Sequence, residues 1–197
     1  MTLNRALHRI AAYPRVYDAL QIVAGRTFVA AALRKWLANS RGLVVDVGGG
    51  TGTLKALLPS TVRHVCVDTD RMKLSGYAAK FPDALPLYGD AMRLPLRTRV
   101  APQVALIAVS HHLTDAELEA ALSEIARIQA PTGSFFFFDA LLVPERRASR
   151  FLWRRDRGAH PRTADDIVGR LQKHFEVIER FEYTVWHRYL ACRCRAL

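Results

Sequence analysis

The chain has 197 residues, half of them hydrophobic, and carries 29 Lys and Arg against 18 Asp and Glu, a formal net charge of +11 with a sequence pI near 10.2. That length suits one well-buried domain and is short for two. Its apolar runs, Phe28 to Leu33 and Phe135 to Val143 with Asp139 inside the second, fall well short of the roughly 20 residues of a membrane-spanning helix.

Residues 1–15 alternate basic and apolar positions and lack the apolar core of a secretory signal, so a cytoplasmic location is expected. Leu3, Leu7, Ile10 and Ala11 recur at helical spacing. Pro14 can open a second helix through Val23, and Phe28 to Leu37 suits a third. These make a helical cap over 1–41. At Gly42 the texture changes. GLVVDV (42–47) reads as a buried strand followed by glycines, and TVRHVCVD (61–68) as a second strand ending at Asp68. Residues 70–81 read as a helix capped by Asp70, with Leu74, Tyr77 and Phe81 on one side. ALPLYGD (84–90) and QVALIAVS (103–110) are further strands. Thr114 and Glu117 form a capping box for a helix that turns Leu118, Leu122, Ile125 and Ile128 inward. PTG (131–133) is read as a turn into a fifth strand, SFFFFDALLV (134–143). A lid-like insertion near 144–162 and a capped helix from Thr163 follow. Two strands joined tightly then close the chain as an antiparallel hairpin.

Near-continuous apolar strands alternating with helices define an α/β class: a mostly parallel seven-stranded sheet with helices on both faces. Ligands in such sheets lie beyond the carboxyl ends of the strands, where the strand order reverses. VVDVGGGTGTL (44–54) belongs at that edge. Its glycines at 48, 50 and 52 allow a sharp turn and close ligand approach, and a helix is expected to follow with free N–H groups. The spacing is G-x-G-x-G, with Thr53 at the third position of the dinucleotide fingerprint. Asp68 stands 20 residues after Gly48, the separation of a ribose-binding acid. Asp46 would repel a diphosphate and attract an ammonium group.

An acid before the loop, the G-x-G-x-G turn and a second acid ending the next strand resemble the class I S-adenosylmethionine-dependent methyltransferases, a Rossmann-like family. The likeness covers roughly residues 42–143. LPLYGDAMRLPL is similar to the family's third-strand segment, and residues 104–142 to the small-molecule members of the ubiquinone and menaquinone biosynthesis type. The resemblance implies S-adenosyl-L-methionine as cofactor. Asp46 and the main chain of Gly48, Gly49, Gly50, Thr51 and Gly52 would hold its methionine portion, Asp68 and Thr69 the ribose, and Asp90 and Ala91 the adenine. Ser110 would lie beside the cofactor.

Methyl transfer to a hydroxyl benefits from a base with a pKa near neutrality. SHHL (110–113) stands at the carboxyl end of the fourth strand, so His111 or His112 is the candidate base, with His111 favoured for the pocket. Tyr13 and Tyr17 from the cap, and Trp153, Arg157 and His160 from the insertion, are candidate acceptor contacts. Asp139 is read as an ordinary strand-terminating residue, with a functional acid as the alternative. Cys192 and Cys194, spaced i, i+2, share one strand face and read as reduced thiols. No metal site is expected.

The function expected is methyl transfer to a small-molecule acceptor, first a hydroxyl, on an anionic or lipid-like metabolite. RNA is the less favoured acceptor. The +11 charge suits it, but no N-P-P-Y-like turn follows the fourth strand. A non-catalytic cofactor-binding module is the third reading, and peripheral membrane contact through the amphipathic Leu3, Leu7, Ile10 face the fourth.

Overall fold

A computed structural model of the chain describes residues 42–83, 85–154, 159–184 and 187–197, together with Ala30, Leu33, Arg34, Leu37 and Ser40. The expected helices over 1–23, and Tyr13, Tyr17 and Arg157 with them, lie outside the described residues. Ala30, Leu33, Arg34 and Leu37 are helical, as the third expected helix requires.

Seven strands form one sheet. They are β1 (Leu43–Val47), β2 (Arg63–Asp68), β3 (Leu85–Tyr88), β4 (Ala101–Ile107), β5 (Gln129–Leu141), β6 (Phe175–Thr184) and β7 (Arg188–Ala196), in the order β3-β2-β1-β4-β5-β7-β6. β1 to β5 run parallel, and β7 lies antiparallel between β5 and β6. The order reverses between β1 and β4, so the crevice for a ligand opens beyond Val47 and Ile107. The sheet was legible because its central strands are apolar on both faces. Phe135 and Phe137 point to one layer, with Val45, Leu106, Leu118 and Ile125. Phe136 and Phe138 point to the other, with Leu33, Leu37, Val44 and Ala105. Burying each of these rings is worth roughly 1.5–3 kcal/mol.

Among the described residues from Gly42 onward, four α-helices cover the sheet: α1 (Arg71–Lys80), α2 (Asp115–Ile128), α3 (Arg147–Trp153) and α4 (Ala164–Leu171). Their starts follow the capping chemistry of the sequence. Asp70 accepts from Met72 N and Lys73 N, Thr114 and Glu117 form the reciprocal box, and Thr163 accepts from Asp166 N. No described helix is long and apolar enough to cross a membrane.

The structure departs from the expected elements at three places. The helix expected after the glycine loop is a single 3-10 turn, Lys55–Leu57. Pro59 drives Leu58 into extended backbone (ψ 149°) and stops the helix there. The PTG segment is not a free turn, because β5 begins at Gln129, pairs with Ala101, and shifts register before Ser134 takes up Gln103. Part of the arginine-rich insertion is helical, as α3.

Candidate functional site

Four segments converge at the reversal point: the loop after β1, the end of β2, the turn after β3 and the turn after β4. The glycine loop is tied down from within. The amides of Gly48 and Gly49 both donate to Val67 O (2.7 and 3.3 Å), Gly50 N donates to Asp68 Oδ2 (2.9 Å), and Gly52 N donates to Gly49 O (2.9 Å). A dinucleotide pyrophosphate needs such amides as donors, and here they are engaged. Its carbonyls are engaged as well, Gly49 O by Gly52 N, Gly50 O by Cys66 Sγ (3.5 Å) and Gly52 O by Ala56 N (3.4 Å), so what the loop offers a ligand is its shape. A Cβ on Gly49 would lie 2.5 Å from Asp46 Oδ2 and 2.8 Å from Cys66 Sγ, so no side chain fits. Gly50 sits at φ +56°, where a side chain would be strained, and a Cβ there would meet Lys73 Cδ and Asp68 Oδ2 at ordinary contact, 3.7 and 3.9 Å.

Asp46 is 2 % exposed and lies beneath Gly49, its Oδ2 3.4 Å from His64 Nε2. Burial raises its carboxyl above the ordinary carboxylate range, and His64 beside it opposes that rise. It therefore faces the loop from below and has almost no solvent-facing surface. Asp68 is also buried, with Oδ2 taken by Gly50 N and Oδ1 by Asp70 N (2.8 Å). A carboxylate accepts about four hydrogen bonds, so capacity remains for vicinal hydroxyls. Thr51 and Thr69 are exposed at the rim. Asp90 is exposed and accepts from Met92 N (2.9 Å), while Ala91 packs on the core. The segment beyond them is pinned from α2. Leu94 N donates to Glu124, Arg127 donates to the carbonyls of Leu94 and Leu96, and Arg127 Nε pairs with Glu124 at 2.7 Å. Sequence reasoning missed this clamp, whose partners are 30 to 33 residues apart.

Ala108 turns the chain after β4 in the left-handed region, φ +55°, with its N–H on Phe138 O. A non-glycine residue held there costs of order 1–3 kcal/mol and persists only where its surroundings fix it. The turn delivers the 3-10 segment Ser110–His112 onto the end of β5. There Asp139 corrects the sequence reading. It does not terminate β5, which runs on to Leu141, and it is fully buried. Its Oδ1 accepts from His111 Nδ1 (2.6 Å) and Ala140 N (2.7 Å). Its Oδ2 accepts from Ser110 Oγ (2.5 Å) and His111 N (3.3 Å). Ser110, expected beside the cofactor, is 2 % exposed and spends its hydroxyl on Asp139 instead. His112 is exposed, its ring 4.1 Å from that of His111.

The other predicted acceptor contacts are brought near this point in supporting positions. Trp153 is buried, donates Nε1 to Leu141 O (3.0 Å) and meets the His111 ring edge-on at 5.5 Å. His160 donates its N–H to His111 O (3.0 Å) and lines a hollow of about 430 Å³ with Leu142 and Arg162. Arg162, which sequence reasoning did not single out, is 6 % exposed and donates to the carbonyls of Ser110 (2.7 Å), Leu113 (2.7 Å) and His160 (3.2 Å) and to Asp115. It staples the histidine turn to the segment before α4. It stands at the end of the lid-like insertion expected near 144–162.

The strand order, the glycine loop over a buried acid and the acid ending β2 are the arrangement that the methyltransferase resemblance of the sequence implies. The family model described as a methyltransferase domain matches residues 45–137. An uncharacterized methyltransferase of Oceanobacillus iheyensis is 29 % identical over 104 residues, covering 52 % of this chain and 49 % of its own length. The chain thus spans about half the length of the curated relative it matches. Among solved structures, the PH0226 protein of Pyrococcus horikoshii superposes with a TM-score of 0.73 at 17 % identity, covering 94 % of this chain and 93 % of that one. A SAM-dependent methyltransferase of Methanosarcina mazei does so with a TM-score of 0.71 at 13 % identity, covering 79 % and 92 %.

Proposed function

We propose that the protein transfers a methyl group to a hydroxyl oxygen of a small-molecule acceptor, with His111 as general base and Asp139 as its positioning residue. The observation that carries this reading is the 2.6 Å hydrogen bond from His111 Nδ1 to Asp139 Oδ1. An ionised carboxylate only accepts, so Nδ1 bears the proton of the neutral ring and Nε2 is the basic nitrogen. S-adenosylmethionine supplies an electrophilic methyl on a positively charged sulphur. Asp46 from below, the glycine loop, Asp68 and the Asp90–Ala91 turn would hold it. His111 would take the hydroxyl proton at Nε2, and Asp139 would stabilise the imidazolium so formed. Such a base contributes roughly 10²- to 10⁴-fold. The rest of the work is alignment and exclusion of water, in which Trp153 against His111 and Arg162 under the turn take part.

The test is incubation of the protein with methyl-labelled S-adenosylmethionine and fractionated extract, with mass spectrometry of the labelled product. An ether methyl on a small molecule supports the reading; label only in RNA or protein, or on a carboxylate, carbon or nitrogen, overturns it.

A further inference from the structure

Beneath the glycine loop lies a second group of titratable side chains that the methyl-transfer chemistry leaves unused. Asp46 on β1, His64 on β2 and Tyr77 on α1 are all buried: His64 and Tyr77 are fully enclosed and Asp46 is 2 % exposed. They form a chain, with His64 Nδ1 2.6 Å from Tyr77 Oη and His64 Nε2 3.4 Å from Asp46 Oδ2. His64 Nε2 has no hydrogen-bond partner within normal reach, so the contact to Asp46 is its one polar interaction. Both ends of the chain touch the loop. Asp46 lies against Gly49, and the Tyr77 ring lies where a Cβ on Gly52 would come within 2.4 Å.

We infer that Asp46, His64 and Tyr77 form a proton-linked floor to the cofactor cradle, in which Asp46 loses its proton to solvent when a cationic ligand occupies the loop and regains it when a neutral one replaces it. A carboxylate enclosed to this degree is costly to ionise unless an opposite charge comes near. The groups facing it are His64, Cys66 and Asp68 from β2, with Tyr77 reaching it from α1 through His64. Only His64 among them can supply positive charge. Burial and the acid neighbours push the Cys66 thiol up to about 12, so it stays neutral. Asp68 opposes ionisation of Asp46, and His64 favours it. S-adenosylmethionine carries one more positive charge than its demethylated by-product, S-adenosylhomocysteine. The floor therefore grips the substrate form as a carboxylate and relaxes its hold on the product by reprotonation. His64 and Tyr77 are positioning residues, acting on the ligand through Asp46.

This inference rests on the cofactor assignment and is independent of His111. The experiment is titration calorimetry of S-adenosylmethionine and S-adenosylhomocysteine at pH 7.5 in phosphate and in Tris, whose different ionisation heats report the protons released per ligand. Wild type should release more protons with the sulfonium form, and the excess should vanish in Asp46→Asn. His64→Phe keeps Asp46 but removes the imidazole beside it. It should release still more protons on binding and bind S-adenosylmethionine at least fivefold more weakly at pH 7, recovering by pH 9. Tyr77→Phe should move the same way to a smaller extent. Repeating the titrations at pH 6.5, where the ligand's own ammonium stays protonated both free and bound, separates its protons from those of Asp46. An excess unchanged in Asp46→Asn overturns the relay alone. Where Asp46→Asn binds too weakly to titrate, an unchanged proton release and pH profile in His64→Phe does the same. No heat from either ligand with wild type overturns the cofactor assignment and the relay with it.

Discussion

Asp139→Asn is the most informative single substitution. The asparagine is isosteric, and only one end of its amide still accepts. With its oxygen at the Oδ1 position it keeps the bonds from His111 Nδ1 and Ala140 N, because Ser110 Oγ can turn to accept from the new NH₂. The main-chain bond from His111 N, already long at 3.3 Å, is lost, and so is the negative charge beside the ring. Replacing hydrogen bonds to a buried charge by neutral ones costs about 1.5–3 kcal/mol. At roughly 2–4 °C per kcal/mol for a chain of this size, Tm should fall by about 3–12 °C. The effect on turnover should be larger. An imidazolium without its carboxylate is formed at greater cost, and we expect kcat to drop about 10²-fold, some 2.7 kcal/mol of barrier. Affinity for S-adenosylmethionine should change by less than about threefold, since Asp139 does not touch the glycine loop. Single-turnover transfer of a labelled methyl to the identified acceptor measures the first quantity, calorimetry the second. Ser110→Ala is the control: it removes the 2.5 Å bond to Asp139 but leaves the His111–Asp139 contact, so Tm should fall while kcat stays within about fivefold. If Asp139→Asn lowers Tm and leaves kcat within threefold, Asp139 only holds the turn and the base assignment fails.

Three further outcomes follow from the geometry. Gly49→Ala drives a Cβ into Asp46 and Cys66 from above; S-adenosylmethionine affinity by calorimetry should fall at least tenfold, and retention of wild-type affinity would remove the floor contact. Asp46 has its folded-state pKa raised above the ordinary 3.8, so the native state binds the extra proton and its stability falls as pH rises through 3.8 toward that raised value. Asp46→Asn should therefore melt at or above wild type at pH 7.5, with the gain fading by about pH 4. A variant equally destabilised at both pH values contradicts this. Glu124 is held below its ordinary 4.5, first by the Arg127 guanidinium, so its stabilisation is present above 4.5 and lost as pH falls through the lowered value. Glu124→Gln should lower Tm at pH 7, converge with wild type near pH 3, and weaken S-adenosylmethionine binding severalfold by loosening the segment after Asp90.

The seven strands and the two core layers could be read from the sequence because they depend on local alternation and on runs such as Phe135 to Phe138, buried on both faces. Helix starts at Asp70, Thr114 and Thr163 were equally legible, since a cap is satisfied within three residues. The first loop carried the cofactor signal, yet spacing alone could not reveal that its amides are already engaged and that Asp46 acts from beneath. Asp139 was misjudged for a similar reason. Its role depends on Ser110 and His111, 29 and 28 residues away and reached only across the β4–β5 pair. Arg162 and the Glu124–Arg127 clamp bind main-chain carbonyls and amides of distant segments, which leave no side-chain pattern to find. Pro59 was a local signal that the sequence reading passed over when it expected a full helix after the glycine loop.

The central claim is tested most directly by measuring labelled-methyl transfer to the acceptor found in extract, side by side for wild type and His111→Ala, at saturating S-adenosylmethionine. The account predicts an oxygen-bound methyl in the wild-type product and a rate at least 10²-fold lower for the variant, whose cofactor affinity is unchanged. A variant rate within threefold of wild type, or a methyl carried on carbon or nitrogen, would contradict it.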